Sequence, residues 1–232
     1  MKRFYKDVSV EEADGGFRVT LDHRPIRTRG GAAQVVPNSA LAEALATEWR
    51  AQGDELDPNG FALRDLADYA IDRVAPDPAA AAERLLPYAD TDTLCYRADP
   101  DEPLYRRQQE LWEPLVQVLE ARHGIRLERI SGIVHRPQPP ESLARLHAVL
   151  ATLDPFTLAA LETLTRIAAS LAIGLLALEP GADVDALFAA ANCEQDWQAE
   201  LWGWEWHAEE DRARRLEAFR QAAEFARLAR EG

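Results

Sequence analysis

The stretch DGGFRVTLDHRPIRT, residues 14–28, decides the fold of the first part of the chain. Asp14-Gly15-Gly16 is typical of a tight turn, and Phe17–Leu21 alternates apolar and polar side chains with a period of two, as a half-buried strand does. Asp22–Pro25 turns the chain again, so that Ile26–Thr28 can pair back on the preceding strand. The stretch therefore predicts a β-meander or a pair of hairpins.

The pattern changes from strand to helix at Pro37. Two further short strand candidates precede that point, Phe4–Val10 and Gln34–Val36. After it, Leu41, Leu45 and Trp49 recur at a spacing of four residues, with Ser39 as the expected N-cap. We therefore predict an amphipathic helix here, and because Trp49 continues the apolar stripe, we assign it to the core.

Most of the remaining chain has helical periodicity. The leucines of residues 104–119 line one face of a helix that Gly124 ends, and the apolar segment Phe156–Leu178 predicts one buried central helix. A short β pair is predicted between Ile125–Leu127 and Ile130–Val134.

These patterns predict an α+β protein, in which a small N-terminal antiparallel β domain precedes a larger α-helical domain. We place the two domains at residues 1–37 and 38–232. The boundary falls between Val36 and Pro100, and a β-rich domain that extends to about residue 100 is the alternative.

The composition limits the partners of this chain. It has 40 acidic and 26 basic residues, a formal net charge of −14, so phosphate backbones and anionic membranes repel it. The uncharged apolar run Ile167–Leu178 is shorter than the roughly 20 residues that span a bilayer. We therefore expect neither a nucleic acid partner nor insertion into a membrane.

The sequence lacks the usual motifs of catalysis and metal binding. Neither Gly15-Gly16 nor Gly30-Gly31 is followed by the Lys-Ser/Thr of a phosphate loop, and the histidines have no i,i+4 partner among themselves. Cys95 and Cys193 belong to no CxxC pair, and we expect both to be buried free thiols. We predict no catalytic residue, no metal and no cofactor.

One enzyme-like group is an alternative. Asp90, Asp92 and Arg97 lie close together in the sequence, and two carboxylates with an arginine can share acid–base chemistry. The competing interpretation is that Asp90 or Asp92 caps a segment and pairs with Arg97. The enzyme hypothesis predicts a closed pocket that holds all three side chains.

Tryptophan is concentrated near the C-terminal end of the sequence, at Trp197, Trp202, Trp204 and Trp206. A continuous helix would place four residues in one apolar arc: Cys193, Trp197, Leu201 and Trp204. Trp202 and Trp206 would point away from that arc. The polar residues on its flank are Glu194, Gln198 and Glu205. The stretch is therefore either part of a thick helical core or a protein-binding surface rimmed by polar groups.

Segments along nearly the whole chain carry a family resemblance. They are KRFYKDVSV (2–10), GGFRVTLDHRPIRT (15–28), LAEALATEWRAQGDELDP (41–58), LADYAIDRV (66–74), YADTDTLCYRA (88–98), RRQQELWEPL (106–115), GIVHRPQP (132–139) and EQDWQAELWG (194–203). In this order and combination they resemble the assembly chaperones of the F-type ATP synthase α subunit. One departure is His23, where members of that family usually have glycine.

The resemblance implies a two-domain protein without catalytic activity, which binds the free α subunit and is later replaced by the β subunit. It also implies a functional patch made of Glu194, Trp197, Gln198, Trp202 and Gly203. The helical geometry adds Glu205 to this patch. We expect a monomer in the bacterial cytoplasm, with eukaryotic relatives in the mitochondrial matrix. The alternative is a scaffold or regulator that uses the same tryptophan surface for another protein partner.

Overall fold

The chain is described from a computed structural model, over residues 1–132 and 134–231. It divides into two units. Unit 1 comprises Met1–Pro78, Asp154–Ala160 and the chain from Glu224 onward, and unit 2 comprises Ala79–Leu153 and Leu161–Ala223. The division into domains at residues 1–37 and 38–232, or at about residue 100, stays a prediction.

The α+β class is confirmed, because a small antiparallel sheet near the start of the chain is followed mainly by helices. The strands are β1 (Val8–Ala13), β2 (Gly16–Leu21), β3 (Arg24–Pro25), β4 (Tyr96–Arg97) and β5 (Ile130–Ser131). The α-helices are α1 (Ser39–Arg50), α2 (Ala62–Tyr69), α3 (Pro78–Asp90), α4 (Pro103–His123), α5 (Pro140–Leu150), α6 (Pro155–Ala168), α7 (Leu171–Ala177), α8 (Val184–Ala191), α9 (Cys193–Trp202) and α10 (Ala208–Ala229).

The sheet of unit 1 is the predicted meander with different bounds: β1 lies later in the chain than the predicted Phe4–Val10, and β2 begins one residue before the predicted Phe17. β1 and β2 pair antiparallel from Val8 opposite Leu21 to Ala13 opposite Gly16, and β3 pairs with the end of β2. The candidate strands at residues 26–28 and 34–36 form only isolated bridges. A Cβ at Gly16 would lie 2.1 Å from the carbonyl oxygen of Val36, so this close backbone approach requires glycine.

The turn between β2 and β3 explains the unusual histidine. Asp22 and His23 have φ angles of 47° and 63°, in the left-handed region that favours glycine. The Asp22 carboxylate accepts hydrogen bonds from the backbone N–H groups of Lys6 and Asp7, at 3.0 and 2.9 Å, which lowers its pKa. These bonds stabilise a turn in which neither residue is glycine.

The core of unit 1 is aromatic and confirms the assignment of Trp49. Helix α1 begins one residue earlier than predicted, because the side chain of Asn38, and not Ser39, accepts the N-cap hydrogen bond from Leu41 N–H. The Trp49 ring, 7% exposed, lies 5.4 Å from the Tyr5 ring and 4.6 Å from the Phe61 ring. These contacts bury the C-terminal end of the apolar stripe of α1.

The described residues of unit 2 form helices, loops and one short β pair. The predicted pairing within residues 125–134 is wrong, because Ile130–Ser131 pairs in parallel with Tyr96–Arg97 instead. Ile133, within the predicted pair, lies outside the described residues. Gly124, at a φ of 60°, ends α4 as predicted.

The central apolar segment is two helices rather than one. Helix α6 ends at Ala168, Ala169 has a φ of 48°, and the Ser170 side chain caps α7 by accepting from Ile173 N–H at 3.0 Å. Asp92 secures this break: its carboxylate accepts from Ser170 Oγ at 2.7 Å and from Ala172 N–H at 2.9 Å. In the described part of the chain, no helix combines the length and hydropathy needed to cross a bilayer.

Candidate protein-binding surface

The tryptophan-rich stretch does not form one continuous helix. Helix α9 ends at Trp202 because Gly203 takes a φ of 83° and a ψ of 164°, a conformation that L-residues rarely adopt. The predicted helical arc is therefore wrong beyond this point, and Trp204 and Glu205 lie outside α9. We call residues 201–206 the tryptophan segment.

The tryptophan segment exposes a large apolar area. Trp202 and Trp206 are 77% and 83% exposed, Leu201 is 55% exposed and Trp204 is 38% exposed. Cys193 is buried at the start of α9 and Trp197 is half-buried, so the predicted core arc holds only there. Several large apolar side chains that are adjacent and exposed are characteristic of a protein-binding site.

Two bidentate ion pairs fix α9 to neighbouring helices. Arg107 on α4 contacts the Glu200 carboxylate at 2.5 and 2.7 Å, and Arg212 on α10 contacts the Asp196 carboxylate at 2.7 Å with both nitrogens. The Arg107 guanidinium also lies 5.6 Å from the centre of the Trp197 ring. Bidentate geometry orients both partners, so these pairs position α9 more than they stabilise the fold.

Glu194 is held by a buried polar side chain. Its carboxylate accepts a hydrogen bond at 2.8 Å from Gln108 Nε2, and the Gln108 amide oxygen accepts one at 2.8 Å from Ala98 N–H. Gln108 is fully buried, while Glu194 as a residue is exposed and only its carboxyl group is partly enclosed. That enclosure raises the pKa of Glu194, and the hydrogen bond from Gln108 offsets part of the effect.

The other candidate residues surround the same segment. Gln198 and Glu205 are exposed, and within residues 1–132 and 134–231 their side chains make no hydrogen bond or ion pair. Gly203 acts through its backbone conformation. The structure thus groups Glu194, Gln198 and Trp202 on α9, whereas Glu205 follows it. Arg107 and Arg212 were not predicted, because nothing in the spacing of the sequence indicates that α4 and α10 contact α9.

The three residues of the alternative enzyme site have different partners. Asp92 is buried and accepts from Leu94 N–H at 3.1 Å as well as from the start of α7. Its burial raises its pKa to about 6. Arg97 is also buried, and its guanidinium lies 2.9 Å from the Glu113 carboxylate, while Asp90 accepts from Gln138 N–H at 2.8 Å.

Among the described residues, no hydrogen bond or ion pair joins Arg97 to either aspartate. The pairing of an aspartate with Arg97 is therefore wrong, although Asp92 does cap a segment as proposed. The enzyme hypothesis gains no support from these contacts. Over the same residues, no group of three or more His, Cys, Asp or Glu side chains could hold a metal ion.

Comparisons with known proteins converge on one group. A family model described as ATP12 chaperone protein matches residues 2–120. Protein atp12, mitochondrial, of Schizosaccharomyces pombe is 25% identical over 214 residues, which cover 87% of this chain and 74% of that protein. Protein ATP12, mitochondrial, of Saccharomyces cerevisiae is 27% identical over 247 residues, which cover 87% and 76%.

A solved structure resembles the whole chain. The crystal structure of Atp12 from Paracoccus denitrificans superposes with a TM-score of 0.94 at 39% sequence identity, over 99% of this chain and 98% of that one.

Proposed function

The chain belongs to the ATP12 chaperone family, and from that premise we propose that it binds the free α subunit of the F-type ATP synthase through the tryptophan segment and α9. The family membership makes it an assembly chaperone of ATP synthase. The α subunit as the client, the binding residues and the absence of catalysis are our proposal.

The physical task of such a chaperone is to cover an interface temporarily. A free subunit exposes surface meant for its neighbours, and that surface aggregates. A Kd near 1 μM corresponds to a binding free energy of about −8 kcal/mol. A final subunit interface of roughly 2,000 Å² or more can then displace the chaperone without ATP.

The exposure of Trp202 is the observation that carries the proposal. A tryptophan that is 77% exposed stabilises the free protein little, whereas tryptophan is enriched among the residues that dominate binding energy. Its helix is fixed by the ion pairs of Arg107 and Arg212, so binding would not have to order it first. Glu194 and Gln198 supply polar contacts at the rim.

The decisive experiment separates binding from folding. Glu194→Lys, Gln198→Ala and Trp202→Ala are made singly, and both the melting temperature and the suppression of α-subunit aggregation are measured. Glu83→Lys is the matched control, because Glu83 is an exposed glutamate on α3 with the same charge change. We expect Trp202→Ala to weaken α-subunit binding by roughly thirtyfold, or about 2 kcal/mol, with near-native melting.

The outcomes discriminate clearly. If every variant that loses chaperone activity also melts early, then α9 has a structural role and the binding surface lies elsewhere. If all three variants keep both properties, or if Glu83→Lys loses activity equally, the site is wrong. A surface that captures another protein from lysate, with no effect on α-subunit aggregation, would support the scaffold hypothesis.

The cellular location and the oligomeric state belong to the same proposal. We propose a bacterial cytoplasmic location, supported by the similarity to the Paracoccus denitrificans protein along nearly the whole chain. We also propose a monomer in the free state, which sedimentation at micromolar concentration tests. A dimer whose interface hides Trp202 would contradict the proposed client surface.

A further inference from the structure

Unit 1 contains a cavity that the proposed function does not use. Its volume is about 730 Å³, within the size range of ligand-binding sites. Its walls come from β2 and β3, the residues that follow them, and helices α1 and α2. Leu21 and Trp49 contribute buried apolar surface, whereas Phe4, which also lines the cavity, is 63% exposed.

The charge of this cavity is opposite to that of the chain. Four arginines line it against two aspartates, Asp22 and Asp68, although the chain as a whole has a net charge of −14. Both aspartates are already engaged: Asp22 accepts the two backbone hydrogen bonds of its turn, and Asp68 accepts from Gln34 Nε2 at 2.5 Å and from Arg29 N–H at 3.1 Å. Charges within a Debye length of about 8 Å dominate a ligand's local environment.

Of the four arginines, Arg24 and Arg27 are available to a ligand, because neither pairs with a carboxylate in the described part of the chain. Arg29 and Arg64 both contact the carboxylate of Asp65, and Arg64 also lies 4.0 Å from the centre of the Phe61 ring. Arg24 and Arg27 are exposed. The Arg27 guanidinium donates to the Gly31 carbonyl at 2.8 Å, and the Arg24 guanidinium donates no hydrogen bond within the described part of the chain.

Trp49 contributes aromatic surface to the cavity wall. Its indole N–H is buried, and no acceptor for it exists among residues 1–132 and 134–231. Because this nitrogen has almost no accessible area, it is not among the groups that the cavity offers to a ligand. The cavity thus combines aromatic surface with two exposed guanidinium groups that, in the described part of the chain, pair with no carboxylate.

We propose that this cavity binds an extended acidic segment of the client polypeptide. A carboxylate of the segment pairs with the guanidinium groups of Arg24 and Arg27, and an adjacent apolar side chain packs against Phe4 and Tyr5. Arginine suits this role because its planar fork binds carboxylates with two hydrogen bonds and also stacks on aromatic rings. The identity of the client rests on the proposed function, whereas the chemistry of the segment rests on the cavity alone.

The test measures peptide binding directly, without the client. The probe is a fluorescein-labelled peptide, Leu-Phe-Glu-Asp-Glu, and fluorescence anisotropy is recorded with the full chain at 50 and 150 mM salt. We expect saturable binding that weakens with salt. The double variant Arg24→Glu, Arg27→Glu should lower the affinity at least about tenfold.

Matched controls make the result specific. Arg73→Glu changes the charge in the same way at an exposed arginine of unit 1 that does not line the cavity, and it should leave the affinity unchanged. A peptide with lysine in place of each acidic residue should not bind. A peptide with glycine in place of leucine and phenylalanine should bind more weakly.

Four results would overturn the inference: no saturable binding, equal loss in Arg73→Glu, equal binding of the peptide without apolar side chains, or tighter binding of a single-stranded oligonucleotide. Glu194→Lys distinguishes this site from the client surface, because it should abolish suppression of α-subunit aggregation and leave peptide binding intact. If the peptide does not bind while Glu194→Lys still abolishes that suppression, only the inference about the cavity fails.

Discussion

Trp49 and Trp202 are the same residue type in opposite environments. Trp49 packs between the Tyr5 and Phe61 rings and is 7% exposed, whereas Trp202 is 77% exposed at the end of α9. Periodicity predicted the first correctly, because Leu41 and Leu45 form a continuous stripe with Trp49. The stripe containing Trp197 stops at Gly203. The comparison teaches that helical spacing separates a core tryptophan from a surface one only where the helix continues.

The largest expected difference between the two sites is in stability. Trp49→Ala removes an aromatic side chain from the core of unit 1 and should lower the free energy of unfolding by about 3–5 kcal/mol. Trp202→Ala should change it by less than about 0.5 kcal/mol, because little surface is buried there. Urea denaturation of both variants is the measurement. Equal destabilisation would remove the distinction between core and surface.

The same comparison extends to carboxylates, because Asp92 is buried and Glu194 lies at the surface. Asp92→Asn replaces one of the two accepting oxygens by an NH₂ group that faces donors from Leu94, Ser170 or Ala172. We expect a loss of about 1.5–3 kcal/mol in the free energy of unfolding, measured in urea at pH 7. Glu194→Gln is the control, since its amide can still accept from Gln108, and it should cost much less.

The pH dependence sharpens this contrast. Burial raises the pKa of Asp92 to about 6 in the folded protein, above its value of about 3.9 in an unfolded chain. The folded state therefore binds more protons between these values, and the stability that this carboxyl contributes is greatest below about pH 4 and is lost as the pH rises through 6. The stability difference between wild type and Asp92→Asn should shrink from pH 4 to 7. A difference that grows with pH would show that hydrogen bonding outweighs burial.

A smaller effect on stability is expected at Gly203, the residue that ends α9. Gly203→Ala places a Cβ in open space, so its cost comes from the backbone conformation alone and should be about 1 kcal/mol. Hydrogen exchange should increase at the C-terminal end of α9. Gly53→Ala is the control, because Gly53 has no left-handed φ, and it should be close to neutral. Unchanged exchange in Gly203→Ala would mean that another conformation is equally accessible.

The smallest effect on stability should accompany a clear optical change. Trp202→Phe should leave the melting temperature unchanged, while removing a large share of the fluorescence that acrylamide quenches. Trp49→Phe should leave the quenchable intensity unchanged, because the Trp49 ring is buried. If Trp202→Phe does not alter quenching, the tryptophan segment is covered in solution.

Local signals in the sequence predicted much of the fold. The alternation of residues 17–21 predicted β2, and Gly124 predicted the end of α4. Both features depend mainly on residues that are close in the sequence. Gly203 is a local signal that was overlooked, since a glycine inside a helical pattern commonly marks its end. The binding residues remain a proposal that the structure makes testable.

The features that were not predicted depend on distant residues. The break between α6 and α7 depends on Asp92, which is 78 positions from Ser170, and the strand partner of Ile130 is Tyr96. The orientation of α9 depends on Arg107 and Arg212, whose own surroundings in the sequence show only helical spacing. No periodicity encodes which helices meet.

Unit 1 contains both the first and the last residues of the described chain, which affects the order of folding during synthesis. Asn38 caps α1 with its side-chain oxygen, while its side-chain nitrogen donates to the carbonyls of Leu228 and Ala229 at 2.8 and 3.1 Å. Those acceptors are translated 190 and 191 residues later. At typical elongation rates of about 5–20 residues per second, Leu228 and Ala229 are synthesised roughly 10 s or longer after Asn38, so α1 cannot make these contacts before then. The part of the protein that is synthesised first is therefore among the last to be completed.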